Sequence, residues 1–160
     1  MNSFDPRFSL EERNVLKSFV KKLVLKSVLT YRGEVMACFS DETVYGFIEH
    51  YLDRRNLPSV NIKEAGIWKF ADVQMHIDSI TNKGYHIIMI PIRGKGELAY
   101  MKDGRVVESL FDIKQLSARP IVFDDHLPHA FTSFSKSCYA ILAAIPEAVA
   151  EKVDKLNKSV

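Results

Sequence analysis

The chain has 160 residues, of which 47% are apolar and 26% charged, as expected for one folded domain with a substantial hydrophobic core. Its 22 basic and 20 acidic residues leave a net charge of +2, which gives no electrostatic reason to expect a nucleic-acid partner. No apolar run is long enough to cross a bilayer, so no membrane association is expected, and the first residues lack the layout of a signal peptide. Two cysteines are too few for a disulfide framework, which predicts a cytoplasmic protein.

Two amphipathic helices are predicted in the first 60 residues. Ser9 followed by Glu12 forms a capping box, which opens a helix expected to run to about Thr30. The lysines of this helix predict a solvated face, although a basic helix can also contact RNA or a membrane surface. Asp41 is the expected N-cap of the second helix, and Pro58 follows its predicted end.

From about residue 66 to residue 146, short apolar runs alternate with turn residues. Asp103-Gly104, between two alternating segments, predicts a hairpin. Seven or eight short strands with this punctuation predict an antiparallel sandwich or barrel. A last helix is expected over 147–160, because acidic residues lead it and lysines trail, as the helix dipole prefers. We therefore expect a single mainly β domain, 1–160, with a helical part over 1–60, a β-barrel over 66–146 and a C-terminal helix.

Two segments about 50 residues apart supply candidate metal ligands. His76 and Asp78 are two residues apart, so on a strand their side chains point to the same face. A carboxylate among apolar residues is costly to bury alone, and a metal ion removes that cost. His129 follows a proline-containing turn and begins an alternating segment, so it can supply a third ligand from a distant strand. Two imidazoles and one carboxylate form the set that holds non-heme Fe(II) and leaves coordination positions open.

Other interpretations of these residues stay open at this point. His76 and Asp78 can form an internal polar pair without metal, in a structural or interaction protein. His126 competes with His129, although its position among acidic turn residues favours exposure. His86, in an apolar strand, and His50, on the second helix, are interpreted as structural residues.

The segment Leu127 to Ser133 resembles the second motif of the double-stranded β-helix, or cupin, superfamily, in which a proline turn leads to a histidine and then to an aromatic residue. The first cupin motif usually reads His-x-His followed by Glu, whereas here Asp78 stands in the place of the second histidine. That departure favours the Fe(II)/2-oxoglutarate oxygenases, whose ligands are His-x-Asp and a later His. The Phe123-Asp124-Asp125 turn and the apolar segment ending near Pro146 are similar to the aspartyl/asparaginyl β-hydroxylase-like branch.

The resemblance covers about residues 66 to 146 and implies an antiparallel jelly-roll barrel, flanked by the two N-terminal helices and the C-terminal helix. It implies that His76, Asp78 and His129 bind Fe(II), with 2-oxoglutarate as cosubstrate, for the hydroxylation of a peptide side chain or a small molecule. The helices outside the resemblance could cover the barrel or build a homodimer interface.

The anchor for 2-oxoglutarate is less evident in the sequence. These oxygenases usually place an Arg or Lys about ten residues after the last histidine ligand, and here that residue is Tyr139. Lys136 is the nearest basic residue, and Arg93 or Arg119 could reach inward instead. The alternative is a non-oxygenase cupin that acts as a small-molecule-binding or isomerase-type metal protein, which would explain the missing basic residue.

Overall fold

The fold is taken from a computed structural model of the chain, which describes residues 4–25, 30–32, 35–39, 42–78 and 83–159. The helices in these ranges are α1 (Leu10–Leu25), α2 (Glu42–Asp53) and α3 (Glu147–Lys158). The strands are β1 (Thr30–Arg32), β2 (Val35–Phe39), β3 (Lys63–Phe70), β4 (Val73–His76), β5 (Tyr85–Arg93), β6 (Lys95–Lys102), β7 (Arg105–Asp112), β8 (Ile121–Phe123), β9 (His129–Ser133) and β10 (Cys138–Pro146). None of the helices in these ranges is long and apolar enough to span a membrane.

The strands form two antiparallel sheets. The larger sheet has the order β1-β2-β3-β10-β5-β8, and the smaller sheet has the order β4-β9-β6-β7. From residue 63 to residue 146 the described residues form eight strands, in agreement with the seven or eight predicted. The predicted hairpin joins β6 to β7, and both turn residues, Asp103 and Gly104, have positive φ angles (50° and 74°). That backbone conformation suits a tight hairpin, which is why an Asp-Gly pair occurs there.

The larger sheet is covered on both faces. One face packs against the three helices, and Ile88 and Ile90 of β5 belong to that core. The other face packs against the smaller sheet, and Met89 of β5 belongs to that second core. Successive side chains of a strand point to opposite faces, so a strand buried on both sides is apolar throughout. This explains the continuous apolar run of β5.

The first helix begins as expected and ends earlier than expected. The backbone N–H of Glu12 donates to Ser9 Oγ at 3.1 Å, and the backbone N–H of Ser9 donates to Glu12 Oε1 at 2.8 Å, which completes the capping box. The prediction that this helix reaches Thr30 was wrong. Thr30 belongs to β1 and pairs with Ala37 of β2, because β-branched residues suit a strand and the hairpin extends the larger sheet. The expected N-cap, Asp41, lies outside the described residues.

A close approach between β6 and β9 requires a glycine at position 96. A Cβ built on Gly96 would lie 2.5 Å from the carbonyl oxygen of Thr132 and would also overlap the Phe131 ring. Gly96 is the register partner of Ser133, so an added methyl group would push β9 away from β6.

We therefore expect Gly96→Ala to lower the free energy of unfolding by about 1–3 kcal/mol through overpacking, which corresponds to a fall in Tm of about 2–12 °C for a chain of this size. Gly46→Ala is the matched control. It lies within α2, where an added Cβ meets no heavy atom within 4 Å, so alanine should stabilise the helix by about 0.5–1 kcal/mol. Thermal unfolding of both variants checks the prediction, and equal Tm changes of the same sign would contradict it.

Candidate metal centre

The three predicted ligands meet at one end of the space between the two sheets. His76 is the last residue of β4 and His129 the first of β9, and the two are register partners on adjacent strands. Their imidazole centroids are 4.2 Å apart. Asp78 Oδ2 lies 3.2 Å from His129 Nε2 and 3.5 Å from His76 Nε2. One ligand atom from each residue therefore lies within 4.8 Å of the other two.

Backbone carbonyl groups fix the orientation of both imidazoles. His76 Nδ1 lies 2.7 Å from the carbonyl oxygen of Gln74, and His129 Nδ1 lies 2.9 Å from that of Leu127. A carbonyl oxygen only accepts, so each Nδ1 must carry the hydrogen. In a neutral ring the lone pair then lies on Nε2, and both Nε2 atoms face the Asp78 carboxylate. Metal-bound histidines usually show this arrangement, with the second nitrogen donating to an oxygen.

The carboxylate is held in place by the turn that precedes β9. The backbone N–H of Asp78 donates to the carbonyl oxygen of Asp125 at 2.8 Å, which ties the end of β4 to that turn. His129 packs against the Phe123 ring, with centroids 5.0 Å apart. The side chain of His129 is only 6% exposed, whereas those of His76 and Asp78 are 37% and 42% exposed. One side of the centre is thus packed, and the other side is open to an ion from solvent.

The donor set fits a divalent cation. Two imidazole nitrogens and one carboxylate oxygen are the donors that first-row transition metals accept, and three donors leave positions for other molecules. Without a metal, the contact between His129 Nε2 and Asp78 Oδ2 is an ordinary hydrogen bond between two side chains. The two states differ in composition, because only one of them contains a metal ion.

A cavity of about 370 Å³ opens beside these three residues. That volume is within the range of small-ligand pockets. Its walls come from both sheets and are mostly apolar; they include Trp68, Phe70, Met89, Leu98, Phe123 and Phe131. Two further carboxylates, Glu64 and Asp125, also line it, and among its described lining residues none is Lys or Arg. The cavity therefore offers apolar surface and negative charge beside the candidate ligands.

The other sequence candidates lie away from this cavity. Lys136 is exposed between β9 and β10, and Arg93 is exposed at the end of β5, where it pairs with Tyr139. Arg119 donates to the carbonyl oxygen of Asn157 on α3, also outside the cavity lining. The cosubstrate role predicted for Lys136 and Arg93 stays a prediction.

The remaining histidines are also away from the candidate ligands. His126 Nδ1 lies 3.0 Å from Asp124 Oδ1, and His86 Nε2 lies 3.8 Å from the other oxygen of that carboxylate. His126, Asp124 and Asp125 form a second compact group of possible ligands in the turn before β9. His50 is exposed on α2.

A larger hollow, of about 690 Å³, lies between the β6–β7 hairpin, residues 113–120 and α3. It contains none of the three candidate ligands, and charged residues of both signs line it. A reaction at His76, Asp78 and His129 would therefore take place in the smaller cavity.

Sequence reasoning missed Glu64, which the structure places on the wall of the smaller cavity. Glu64 has a φ of 55°, although it is not a glycine. No local pattern around it signals that backbone conformation, because it results from the pairing of β3 with β10.

No protein-family model matches the chain. No curated protein matches its sequence either. Among solved structures, a Pseudomonas putida prolyl-4-hydroxylase aligns with a TM-score of 0.58 at 10% identity, over 89% of this chain and 90% of that one. The chain has a cupin-type jelly-roll fold. The mainly β antiparallel architecture with two helices before the jelly roll and one after it is thereby confirmed.

Two other solved structures resemble parts of this jelly-roll chain. Hydroxypropylphosphonic acid epoxidase from S. wedmorenis aligns with a TM-score of 0.44 at 11% identity, over 74% of this chain. This chain spans about half, 54%, of the epoxidase chain. The capsular polysaccharide assembling protein CapF from Staphylococcus aureus aligns with a TM-score of 0.40 at 7% identity, over 51% of this chain and 22% of that one.

Proposed function

We propose that this protein is a metal-dependent oxidoreductase that binds a divalent metal, Fe(II) foremost, through His76, Asp78 and His129. One observation carries the proposal: both Nε2 atoms face a single carboxylate oxygen at the wall of a cavity, while both Nδ1 atoms donate to backbone carbonyl groups. The substrate is a small molecule or a peptide side chain that enters the cavity. A prolyl-4-hydroxylase has the same fold, which supports an oxidative reaction.

The chain's own residues have three tasks in this proposal. A bound Fe(II) ion would supply the oxidative chemistry toward a C–H bond, with oxygen as the oxidant. His76, Asp78 and His129 hold the ion, and the carbonyl groups of Gln74 and Leu127 keep the imidazoles oriented. The apolar walls exclude water and position the substrate against the ion. The half-exposed side of the centre admits the co-reactants.

We further propose that the enzyme belongs to the Fe(II)/2-oxoglutarate oxygenases of the aspartyl/asparaginyl β-hydroxylase-like branch, with Lys136 or Arg93 as the cosubstrate anchor. A dianionic cosubstrate binds best where a cationic side chain pairs with its far carboxylate. A second candidate is a metal-dependent cupin that does not use 2-oxoglutarate. It is favoured by the cavity lining, which has carboxylates and, in the described part of the chain, no Lys or Arg.

Anaerobic addition of Fe(II) to metal-free protein, with and without 2-oxoglutarate, tests these candidates. For the first candidate we expect one metal per chain, a visible charge-transfer band that appears only with 2-oxoglutarate, and loss of both in Asp78→Ala. Loss of a charged hydrogen-bonding partner should weaken 2-oxoglutarate binding about 10- to 100-fold in Lys136→Ala or Arg93→Ala. The exposed Lys152 of α3 provides the matched control, Lys152→Ala.

The other outcomes separate the alternatives. Stoichiometric metal without a band, and without oxygen uptake when the sample with 2-oxoglutarate is afterwards exposed to oxygen, would support the second candidate. If the protein binds no metal, both candidates fail, and the three residues are a polar cluster at the end of the jelly roll.

A further inference from the structure

Glu64 occupies an irregular position in β3. Leu142 of β10 pairs with Gly66, and Ala144 pairs with Lys63, so the single residue Ala143 faces two residues of β3. This two-against-one arrangement is a β-bulge, which redirects a side chain relative to a regular strand. Glu64 is one of the two residues opposite Ala143, and its positive φ is rare for residues other than glycine. Glu64 lines the cavity on the same side of β3 as Trp68 and Phe70.

Glu64 shares that wall with an aromatic ring. Trp68, on the same strand, also lines the cavity. The two residues are four apart along β3, so they line different parts of the wall. An exposed carboxylate on a cavity wall can pair with an organic cation, and an aromatic wall suits the apolar body of the same molecule.

The charges around the cavity favour the same kind of ligand. The side chain of Glu64 forms no hydrogen bond or ion pair with any residue in the described part of the chain, and it is exposed at the cavity. Its neighbour Lys63 places Nζ 4.8 Å from the centroid of the Tyr85 ring, and Lys63 does not line the cavity. Asp78 belongs to the candidate metal centre, and Asp125 is buried beside His126. Glu64 is therefore the lining carboxylate best placed to meet a ligand.

We propose that Glu64 is a specificity-determining residue, and that the cavity takes an apolar molecule bearing one cationic nitrogen. The apolar walls, Trp68 among them, hold the body of this molecule, and Glu64 binds its cationic group. The inference rests on the proposed function in that the same cavity holds the substrate of the metal centre.

Trp68 is the single tryptophan of the chain, so its fluorescence reports directly on occupancy of the cavity. The probes share a six-carbon chain and differ in charge: hexyltrimethylammonium, hexanol and hexanoate. The quaternary nitrogen has no lone pair and does not bind a metal, whereas hexanoate can, so a preference for the cation does not arise from metal coordination. Each probe is titrated into the full chain with and without Zn²⁺, which is redox-inactive.

We expect the cation to bind about 3- to 5-fold more tightly than either other probe, and Glu64→Gln to remove that preference. Glutamine has nearly the same size, so the substitution leaves the bulge in place. Glu49→Gln, at an exposed position of α2, is the matched control and should keep the preference. In the metal-free protein, equal binding of the three probes, tighter binding of hexanoate, no binding of any probe, or an unchanged preference in Glu64→Gln would each overturn the inference.

The design separates this inference from the proposed function. A cation preference in a protein that binds no metal would support the role of Glu64 and contradict the metal centre. Metal binding that depends on Asp78, without a cation preference, would contradict the role of Glu64 alone.

Discussion

Replacing Asp78 with alanine is expected to lower divalent metal affinity by at least about 100-fold and to leave the fold intact. Loss of a residue that merely supports a ligand weakens metal binding about 10- to 100-fold, and Asp78 supplies a ligand oxygen itself. Its side chain is 42% exposed, and its hydrogen bond to Asp125 comes from the backbone, so truncation leaves the packing unchanged. Metal content after dialysis, together with circular dichroism, measures both effects.

Thermal unfolding provides a second measurement of the same ligand. A metal present at about 100 times its Kd stabilises the folded state by about 2.7 kcal/mol, or about 5–11 °C in Tm for a chain of this length. We expect this increase in the native protein and its absence in Asp78→Ala. His129→Ala should behave like Asp78→Ala, whereas His126→Ala and His50→Ala should retain metal. Full metal stoichiometry in both His76→Ala and Asp78→Ala would exclude the proposed ligand set.

Replacing Glu12 with glutamine is expected to cause the largest loss of stability among the variants considered. Arg55 donates to both oxygens of Glu12 at 2.8 Å, and the two side chains are 6% and 1% exposed. The same guanidinium also donates to the carbonyl oxygens of Asp5, Arg7 and Tyr51. This network joins the start of the chain and α1 to the end of α2.

Removal of one partner leaves the other charge buried and unpaired, which costs about 3–5 kcal/mol, or about 6–20 °C in Tm. A matched control is the adjacent pair of Glu11 and Arg54, which is 3.1 Å apart, with side chains 71% and 43% exposed. Glu11→Gln should change stability by less than about 1 kcal/mol. Urea unfolding of both variants measures the difference, and similar losses would show that burial of the Glu12 pair has no energetic consequence.

The same pair makes stability depend on pH. Burial raises the pKa of Glu12, but hydrogen bonds from Arg55 and Ser9 outweigh burial, and the net pKa lies below the ordinary value of 4.5. A carboxyl group whose pKa is lowered by folding stabilises the protein above its unfolded pKa and loses that contribution as the pH falls through its folded pKa. The difference in the free energy of unfolding between the native protein and Glu12→Gln should therefore be greatest above pH 4.5 and become smaller as the pH falls below that value. Urea unfolding at a series of pH values measures it.

Local patterns were enough to predict most of the fold. The capping box needs only Ser9 and Glu12, and the Asp103-Gly104 turn needs only two residues with positive φ. The β1–β2 hairpin could not be predicted in this way. Thr30–Arg32 is too short for a pattern, and its strand conformation depends on pairing with β2, which in turn pairs with β3.

The three residues of the candidate centre were predicted from their spacing in the sequence, but strand alternation explains the position of only some of them. β4 ends at His76, so Asp78 does not reach the centre by strand alternation alone; its backbone hydrogen bond to Asp125 positions it. The wall of the cavity could not be predicted, because the bulge at Glu64 depends on the register of β3 against a strand about 80 residues later. The exposure of Lys136 and Arg93 likewise depends on tertiary packing.

The two cores of the larger sheet have a consequence for engineering. Ile88 and Ile90 face the helices, while Met89 and Leu142 face the cavity from the same sheet. Residues that pack against the helices and residues that would contact a ligand therefore alternate along the same strands but lie on opposite faces of the sheet. Libraries restricted to the cavity-facing positions should change which molecules bind while the helix-facing scaffold is retained.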